Sequence, residues 1–497
     1  MRLLALALAF AATAALADPV KIDTGLLSGV TVDGVESFKG IPFAAPPVGN
    51  LRWRAPQPAA KWDGVKAADK FGFACMQEVR KPPQTVIPRD TMSEDCLALN
   101  VWRPVKAKKL PVMVWIYGGA LVTGSSALPT YDGTAFAKGG VVLVSINYRV
   151  SRLGFFVHPA LVQENADGGA MGNYGLMDQI AALQWVKRNI AAFGGDPANV
   201  TIFGESAGAQ SVDGLMIAPA ARGLFHKAIS ESGYGRQSYR RISKPAPDGQ
   251  PSAEAEGVEV VTKWGLTNPD LAALRAFPAD KIVDNSGVGG STLNFYVDGK
   301  TIADDLWTVF RAGKEAPVPF LLGSNGLEFP SSTNSAKTIA GVLTQEEAES
   351  LAPTYGTGQT RIDNLTSDIL FTQQARALAR FHRKSGHPTY LYLFDVVRDG
   401  AAAKGARHGA ELPYVFDTLA SAAQPISGAA ETKIAKTMNA QWRAFATTGA
   451  PTGAGLPAWP RYDGQQVMEY KLEGATVHPD VRAPRLDALS RLIDPRS

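Results

Sequence analysis

Cysteine is nearly missing from this chain, with two in 497 residues, Cys75 and Cys96. Two cysteines allow one bridge at most, and no spacing of Cys, His or carboxylates resembles a zinc site. Long hydrophobic runs are also missing. Beyond the first residues no segment holds ~18 continuous apolar side chains, so no membrane span is expected. An excess of one charge is lacking too, with 50 Lys and Arg against 46 Asp and Glu. No basic cluster interleaves with aromatics, which excludes a nucleic-acid partner. There is no low-complexity tract and no internal repeat.

What is present begins at the N-terminus. Met1-Arg2 is followed by an almost wholly apolar stretch from Leu3 to Ala14, then Ala15-Leu16-Ala17. A basic start, a short apolar core and an A-x-A end describe a secretory signal, residues 1–17, cut before Asp18. The product is expected to be secreted or periplasmic. No cysteine lies near the cut, which argues against a lipoprotein. In an oxidising compartment the even pair Cys75 and Cys96 is expected to form a disulfide. Its loop of about 20 residues would add ~3 kcal/mol in the chain-entropy model.

Strand-like runs at Pro19–Ile22, Gly29–Val32 and Val35–Phe38 open the chain, and Pro-rich irregular sequence follows to about Asp90. Then strands alternate with helical patterns. Val112–Tyr117 and Val141–Tyr148 are nearly continuous apolar runs, as in strands buried on both faces of a parallel sheet. Gly175–Ala192 has amphipathic helical spacing. Further strands are expected at Asn199–Phe203, from Ala228, at Val318–Leu322 and at Thr389–Phe394. The alternation predicts an open, largely parallel α/β sheet with function at the carboxyl ends of its strands. Residues 240–317 and 331–386 read as helical insertions covering the sheet, within a single domain spanning 18–497.

The strand Asn199–Phe203 feeds into Gly204-Glu205-Ser206-Ala207-Gly208. Strand, sharp turn and helix put Ser206 at a strained apex, its hydroxyl exposed above the sheet. With 49 glycines in the chain, the pentapeptide alone proves little. Partners must come from elsewhere. Tyr117-Gly118-Gly119-Ala120 ends an earlier strand. Its glycines let backbone N–H groups approach a reacting carbonyl oxygen, so Gly118, Gly119 and Ala207 are candidate oxyanion donors. Among six histidines, His408 is the best base, on a loop with small neighbours after the strand Thr389–Phe394. An acid should lie between serine and histidine in chain order. Glu328 is favoured by position, with Asp395 and Asp399 as alternatives.

These segments carry a resemblance. The chain resembles the type-B carboxylesterase/lipase family, which includes cholinesterases and bacterial esterases, over about Pro19 to Trp459. The segments that carry it run in order: 38–49, Ser93-Glu94-Asp95-Cys96 and on to Trp102, 114–119, 147–149, 172–179, 193–197, the serine elbow, 230–233, 323–328 and 408–414. The resemblance implies an α/β-hydrolase fold, with a large mostly parallel central sheet flanked by helices. It implies Ser206 as nucleophile, Glu328 as acid and His408 as base, and supports Gly118, Gly119 and Ala207 as the oxyanion hole. It also implies a Cys75–Cys96 bridge, an Arg149–Asp178 ion pair, and a second pair between Glu94 and an arginine such as Arg52. Two departures stand out: Tyr117 replaces the family's usual histidine, and Ala120 a third glycine. Neither removes an N–H. Between the cysteines, Met76 to Asp95 holds no aromatic, which argues against a choline-binding site.

The expectation is therefore a secreted serine hydrolase of small-molecule carboxylic esters, needing no cofactor and no metal. Amide, carbamate or thioester cleavage on the same residues is the alternative, and a non-catalytic binding role a more distant one. Leu121, Ser232, Tyr234, Arg236, Phe329 and Leu412 are candidates for the pocket. Arg236, Arg240 and Arg241 together suggest an anionic acyl group. With an ordinary environment, His408 would set an acid limb near pH ~6.5. Oligomeric state is not legible.

Overall fold

The computed structural model describes residues 15–81, 86–236, 238–284, 293–398, 404–422 and 424–494. Among these residues, twelve strands form the central sheet. In chain order they are β1 (Ala15–Leu16), β2 (Val30–Val32), β3 (Val35–Pro42), β4 (Ala98–Pro104), β5 (Leu110–Ile116), β6 (Val142–Ile146), β7 (Gly195–Glu205), β8 (Lys227–Glu231), β9 (Phe320–Asn325), β10 (Thr389–Phe394), β11 (Gln466–Lys471) and β12 (Gly474–Pro479). Their spatial order is β1-β2-β3-β4-β6-β5-β7-β8-β9-β10-β11-β12. From β6 to β11 the neighbours are parallel; antiparallel strands close both edges.

The apolar runs become the centre of this sheet. Val112 pairs with both Val142 and Val200, and all three are fully buried. Residues buried on both faces leave no polar alternation, which is why β5 and β6 read as unbroken apolar segments. The helix expected at Gly175–Ala192 is α1 (Tyr174–Asn189), followed by a short 3-10 turn. It is more enclosed than its pattern implied, with Tyr174, Leu176, Met177, Leu183 and Trp185 all buried. Gly175 explains how it fits: a Cβ there would stand 2.4 Å from the Arg149 carbonyl oxygen.

Most of the expected signal segment lies outside the described residues. Of its last three residues, Ala15 and Leu16 pair with Thr31 and Val30 at the sheet edge, and Ala17 N–H donates to the Gly29 carbonyl. Residues 240–317 and 331–386 carry helices among their described residues. The first carries α2 (Ala253–Lys263) and shorter helices; the second ends in a π-helical turn, Asp368–Thr372, that runs into α3 (Gln373–Lys384). The C-terminal helix α4 (Ala483–Ile493) packs on the second insertion through Leu489 and Ile493, against Leu351, Tyr355 and Ile369. Arg485 pairs with Asp368, the first residue of the π-helical turn, at 2.8 Å.

Three expected bonds are present. Cys75 and Cys96 form a disulfide, their Cα atoms 5.0 Å apart. Arg149 and Asp178 pair at 2.7 Å, and Arg52 and Glu94 at 2.5 Å. Among the described residues, no helix is long and apolar enough to cross a membrane.

Candidate active site

Ser206 sits between β7 and a helix that begins at Ala207 and ends at Ile217. Its φ of 57° puts a non-glycine residue in the left-handed region. That conformation is costly, and it persists because the surroundings leave no other path. A Cβ on Gly208 would stand 2.0 Å from the Ile116 carbonyl oxygen, and one on Gly204 2.6 Å from the Gly208 carbonyl. The glycines two residues before and after Ser206 thus let helix and strand meet at the sheet's carboxyl edge.

The other two parts of the constellation arrive from β9 and β10, beyond β8 in the sheet. β9 ends in a turn that delivers Glu328, and the loop after β10 delivers His408. The Ser206 hydroxyl lies 2.8 Å from His408 Nε2, and His408 Nδ1 lies 2.7 Å from Glu328 Oε2. These partners assign the proton on Nδ1 to the Glu328 side and leave Nε2 to accept from serine. Two backbone bonds fix the same geometry: Ser206 N–H donates to the Glu231 carbonyl at 2.8 Å, and His408 N–H to the Glu328 carbonyl at 2.9 Å. Of the alternative acids, Asp395 accepts from the Ala406 N–H and pairs with Arg482, while the His408 ring bonds to Glu328. Asp399 lies outside the described residues.

Gly118 lies against Ser206. A Cβ there would be 3.0 Å from Ser206 Cβ and 2.6 Å from the Glu205 carbonyl oxygen. Gly119 has a φ of 119°, and Ala120 and Leu121 follow at 56° and 61°. The strained turn thus continues through the alanine that stands in place of a third glycine.

Electrostatics around the imidazole are dominated by carboxylates. Glu205 Oε1 lies 3.2 Å from His408 Nε2. Glu411, also buried, makes no hydrogen bond to the ring; its carboxylate accepts from the Asn325 side-chain amide and acts on His408 through its charge alone. Burial alone would pull His408 down. The Glu205 charge, the Glu328 hydrogen bond and charge, and Glu411 outweigh it and hold the ring's proton above the usual histidine range. The ordinary environment on which the expected limb near ~6.5 rested is therefore not the one His408 has. Burial raises Glu205 in turn; the positive ring opposes that rise and Glu328 adds to it.

The pocket candidates divide. The Phe329 ring lies 4.5 Å from the His408 ring, centroid to centroid, tilted at 37°. Tyr234 reaches the same place through Phe371, which is 4.8 Å from His408. Leu412 is half-buried close to Gly409, beside the histidine. The other three are corrected. Leu121 is fully enclosed and belongs to the core. Ser232 is fully buried, and its hydroxyl donates to Glu328 Oε1 at 2.8 Å rather than facing a pocket. Arg236 is neutralised by Asp494 at 2.9 Å and hydrogen-bonded to Gln373. Arg240 faces Glu256, and Arg241 faces Asp304 and Asp305. Each arginine is matched by a carboxylate of the chain, so the anionic-acyl expectation loses its basis.

Sequence reasoning missed Phe371, whose place depends on a π-helical turn in an insertion, and gave Glu205 no role although it stands inside the serine motif. The remaining histidines have structural partners: His158 caps a helix, His226 accepts from Val200 N–H, His382 and His478 meet Glu315 and Glu469, and His387 packs on His382.

A central parallel sheet with a serine on its strand-to-helix turn, and with its partners on the next loops, defines the α/β-hydrolase fold. The structure of the Geobacillus stearothermophilus carboxylesterase superimposes with a TM-score of 0.82 at 34% identity, covering 95% of this chain and 99% of that one. The model of the carboxylesterase family matches residues 17–352 and 331–488. The chain belongs to the carboxylesterase family and is by class a carboxylic ester hydrolase. Relatives include the fumonisin B1 esterase of Sphingopyxis macrogoltabida, 35% identical over 88% of this chain and 84% of its own. The para-nitrobenzyl esterase of Bacillus subtilis (strain 168) is 34% identical over 88% of this chain and 91% of its own. The match runs past Trp459, where the sequence resemblance was read to end, and takes in β11 and β12.

Proposed function

We propose that this is a secreted serine carboxylesterase, with residues 18–497 as one hydrolase unit acting through a covalent acyl-enzyme. The observation that carries the reading is the unbroken line from the Ser206 hydroxyl through both nitrogens of His408 to Glu328, at 2.8 and 2.7 Å. Ser206 Oγ attacks the ester carbonyl carbon while His408 Nε2 takes its proton. The carbonyl oxygen becomes an oxyanion facing the N–H groups of Gly118, Gly119 and Ala207. Collapse of the tetrahedral species breaks the bond to the alcohol, which leaves with the proton from Nε2. Water, deprotonated by the same nitrogen, then attacks the acyl-enzyme and frees the acid. Glu328 keeps the imidazole in the productive tautomer, and Ser232 keeps Glu328 in place. The aromatic rings of Phe329 and Phe371 beside His408 favour apolar substituents on the ester.

The test is kcat/KM on a p-nitrophenyl ester series of increasing acyl length, wild type beside Ser206→Ala. The expected result is a loss of about 10⁴-fold or more in the variant. A Ser206→Ala protein with wild-type turnover overturns the mechanism. Mass spectrometry of the exported protein checks the other half of the reading, the expected first residue being Asp18.

A further inference from the structure

Gln77 lies in the disulfide loop, two residues after Cys75, and no part of it reaches solvent. A wholly buried amide must find partners for both its ends. Nε2 donates to the Cys75 carbonyl at 2.9 Å and to the Gly124 carbonyl at 2.8 Å. Oε1 accepts from Gly124 N–H at 2.8 Å and from the Thr123 hydroxyl. Both polar groups of Gly124 are therefore held by one side chain from another part of the chain.

Gly124 closes the turn that begins at Gly118. Its φ is 129°, and a Cβ on it would stand 2.6 Å from the Gly118 carbonyl oxygen. Val122 and Thr123 N–H groups donate to the Gly119 carbonyl at 3.0 and 3.1 Å. The peptide between Gly118 and Gly119 is thus packed directly on the residues that Gln77 grips. On its other side the turn is anchored by Tyr117, whose hydroxyl donates to the Tyr148 carbonyl at 3.0 Å. Between these two anchors run three successive residues with positive φ, two of them not glycine. A strained conformation of this kind persists only when its surroundings over-determine it.

We propose that Gln77 is a positioning residue for ester hydrolysis, its amide clamping the turn 118–124 so that Gly119 N–H points at the developing oxyanion. The cystine beside it supplies the fixed backbone from which the clamp works. This inference rests on the reading of Gly119 as an oxyanion donor. It predicts that losing the clamp weakens transition-state binding and leaves ground-state binding alone.

Gln77→Ala and Gln77→Met, the second filling the space without hydrogen bonds, are compared with wild type. Active sites are titrated with an organophosphate, and kcat, KM and the Ki of a trifluoromethyl ketone are measured. Removing an oxyanion donor outright costs about 10²–10³-fold in kcat, so a misdirected one should cost about 10- to 100-fold per titrated site. KM should stay within about twofold, and the ketone's Ki should rise by the factor that kcat/KM falls. A merely structural Gln77 would lower Tm and the number of titrated sites, with kcat per site and the ketone's Ki unchanged; that result overturns the proposal. Thr123→Val removes one of the four bonds and should lower kcat about three- to tenfold by the same arithmetic. If neither Gln77 variant folds, unchanged ketone affinity in Thr123→Val overturns it. A fully active Ser206→Ala protein would instead remove the reading beneath it.

Discussion

Asp213 offers a stability test whose sign depends on pH. It lies on the helix that follows Ser206, wholly buried, and no well-formed hydrogen bond reaches either carboxylate oxygen among the described residues. Burial pushes its carboxyl up to about 7, and the Ser230 hydroxyl offsets only part of that. In the unfolded chain the same group ionises near ~3.9. Below about pH 4 both states hold the proton, and no penalty exists. As pH rises, the unfolded chain releases its proton first and the native state loses stability. Above the native value the full penalty stands. About three decades at ~1.36 kcal/mol each give roughly 4 kcal/mol. Asp213→Asn keeps the shape and removes the charge, so it should be more stable than wild type by about that amount at pH 8, and by almost nothing at pH 4. At about 2.1 cal/mol/K per residue, a chain of this length unfolds with an entropy near 1 kcal/mol/K, so Tm should rise by about 4 °C at pH 8. Scanning calorimetry of both proteins at pH 4 and 8, at one scan rate, measures the gap. A gap that does not widen with pH, or a variant less stable than wild type at pH 8, would refute the argument.

Glu205→Gln removes the carboxylate charge that raises His408 most. The imidazole should then lose its proton at lower pH, and the acid limb of kcat/KM should move down the pH scale; a limb that stays or rises contradicts the assigned electrostatics. Arg149→Ala leaves Asp178 buried without its guanidinium, a loss of about 3–5 kcal/mol that a urea midpoint will register; an unchanged midpoint would show that the pair is not worth its burial.

Much of the frame was legible because its cause is local. β10 was read to the residue, since Thr389 to Phe394 is a short apolar run with turn residues at both ends. β4 was not named, and Asn100 shows why. It interrupts the apolar pattern, yet it is buried in the strand and bonded to Gly40, Ser126 and Ser145, all distant in sequence. β11 was hidden by polar ends, Gln466 and Lys471, that point to solvent near the sheet's margin. In the site, Ser206 betrays itself through the glycines its turn needs, whereas chain order left Glu328, Asp395 and Asp399 open, and only position and the resemblance favoured Glu328. The roles of Ser232 and Arg236 depend on partners 96 and 258 residues away, and no local pattern encodes those. The resemblance supplied the Arg149–Asp178 pair, which residue types alone would have left as solvated charges.

The hydrogen bond between Ser206 and His408 joins positions 202 residues apart. Strands β8, β9 and β10 and both helical insertions lie between them in the chain. No fragment that ends before the His408 loop contains both groups, and no partly assembled sheet sets them at bonding distance. Ester turnover therefore doubles as a gauge of native population. During refolding it should appear together with the last step of assembly, later than helical signal in circular dichroism, and a proteolytic nick that frees either half should silence the enzyme before most of its secondary structure is lost.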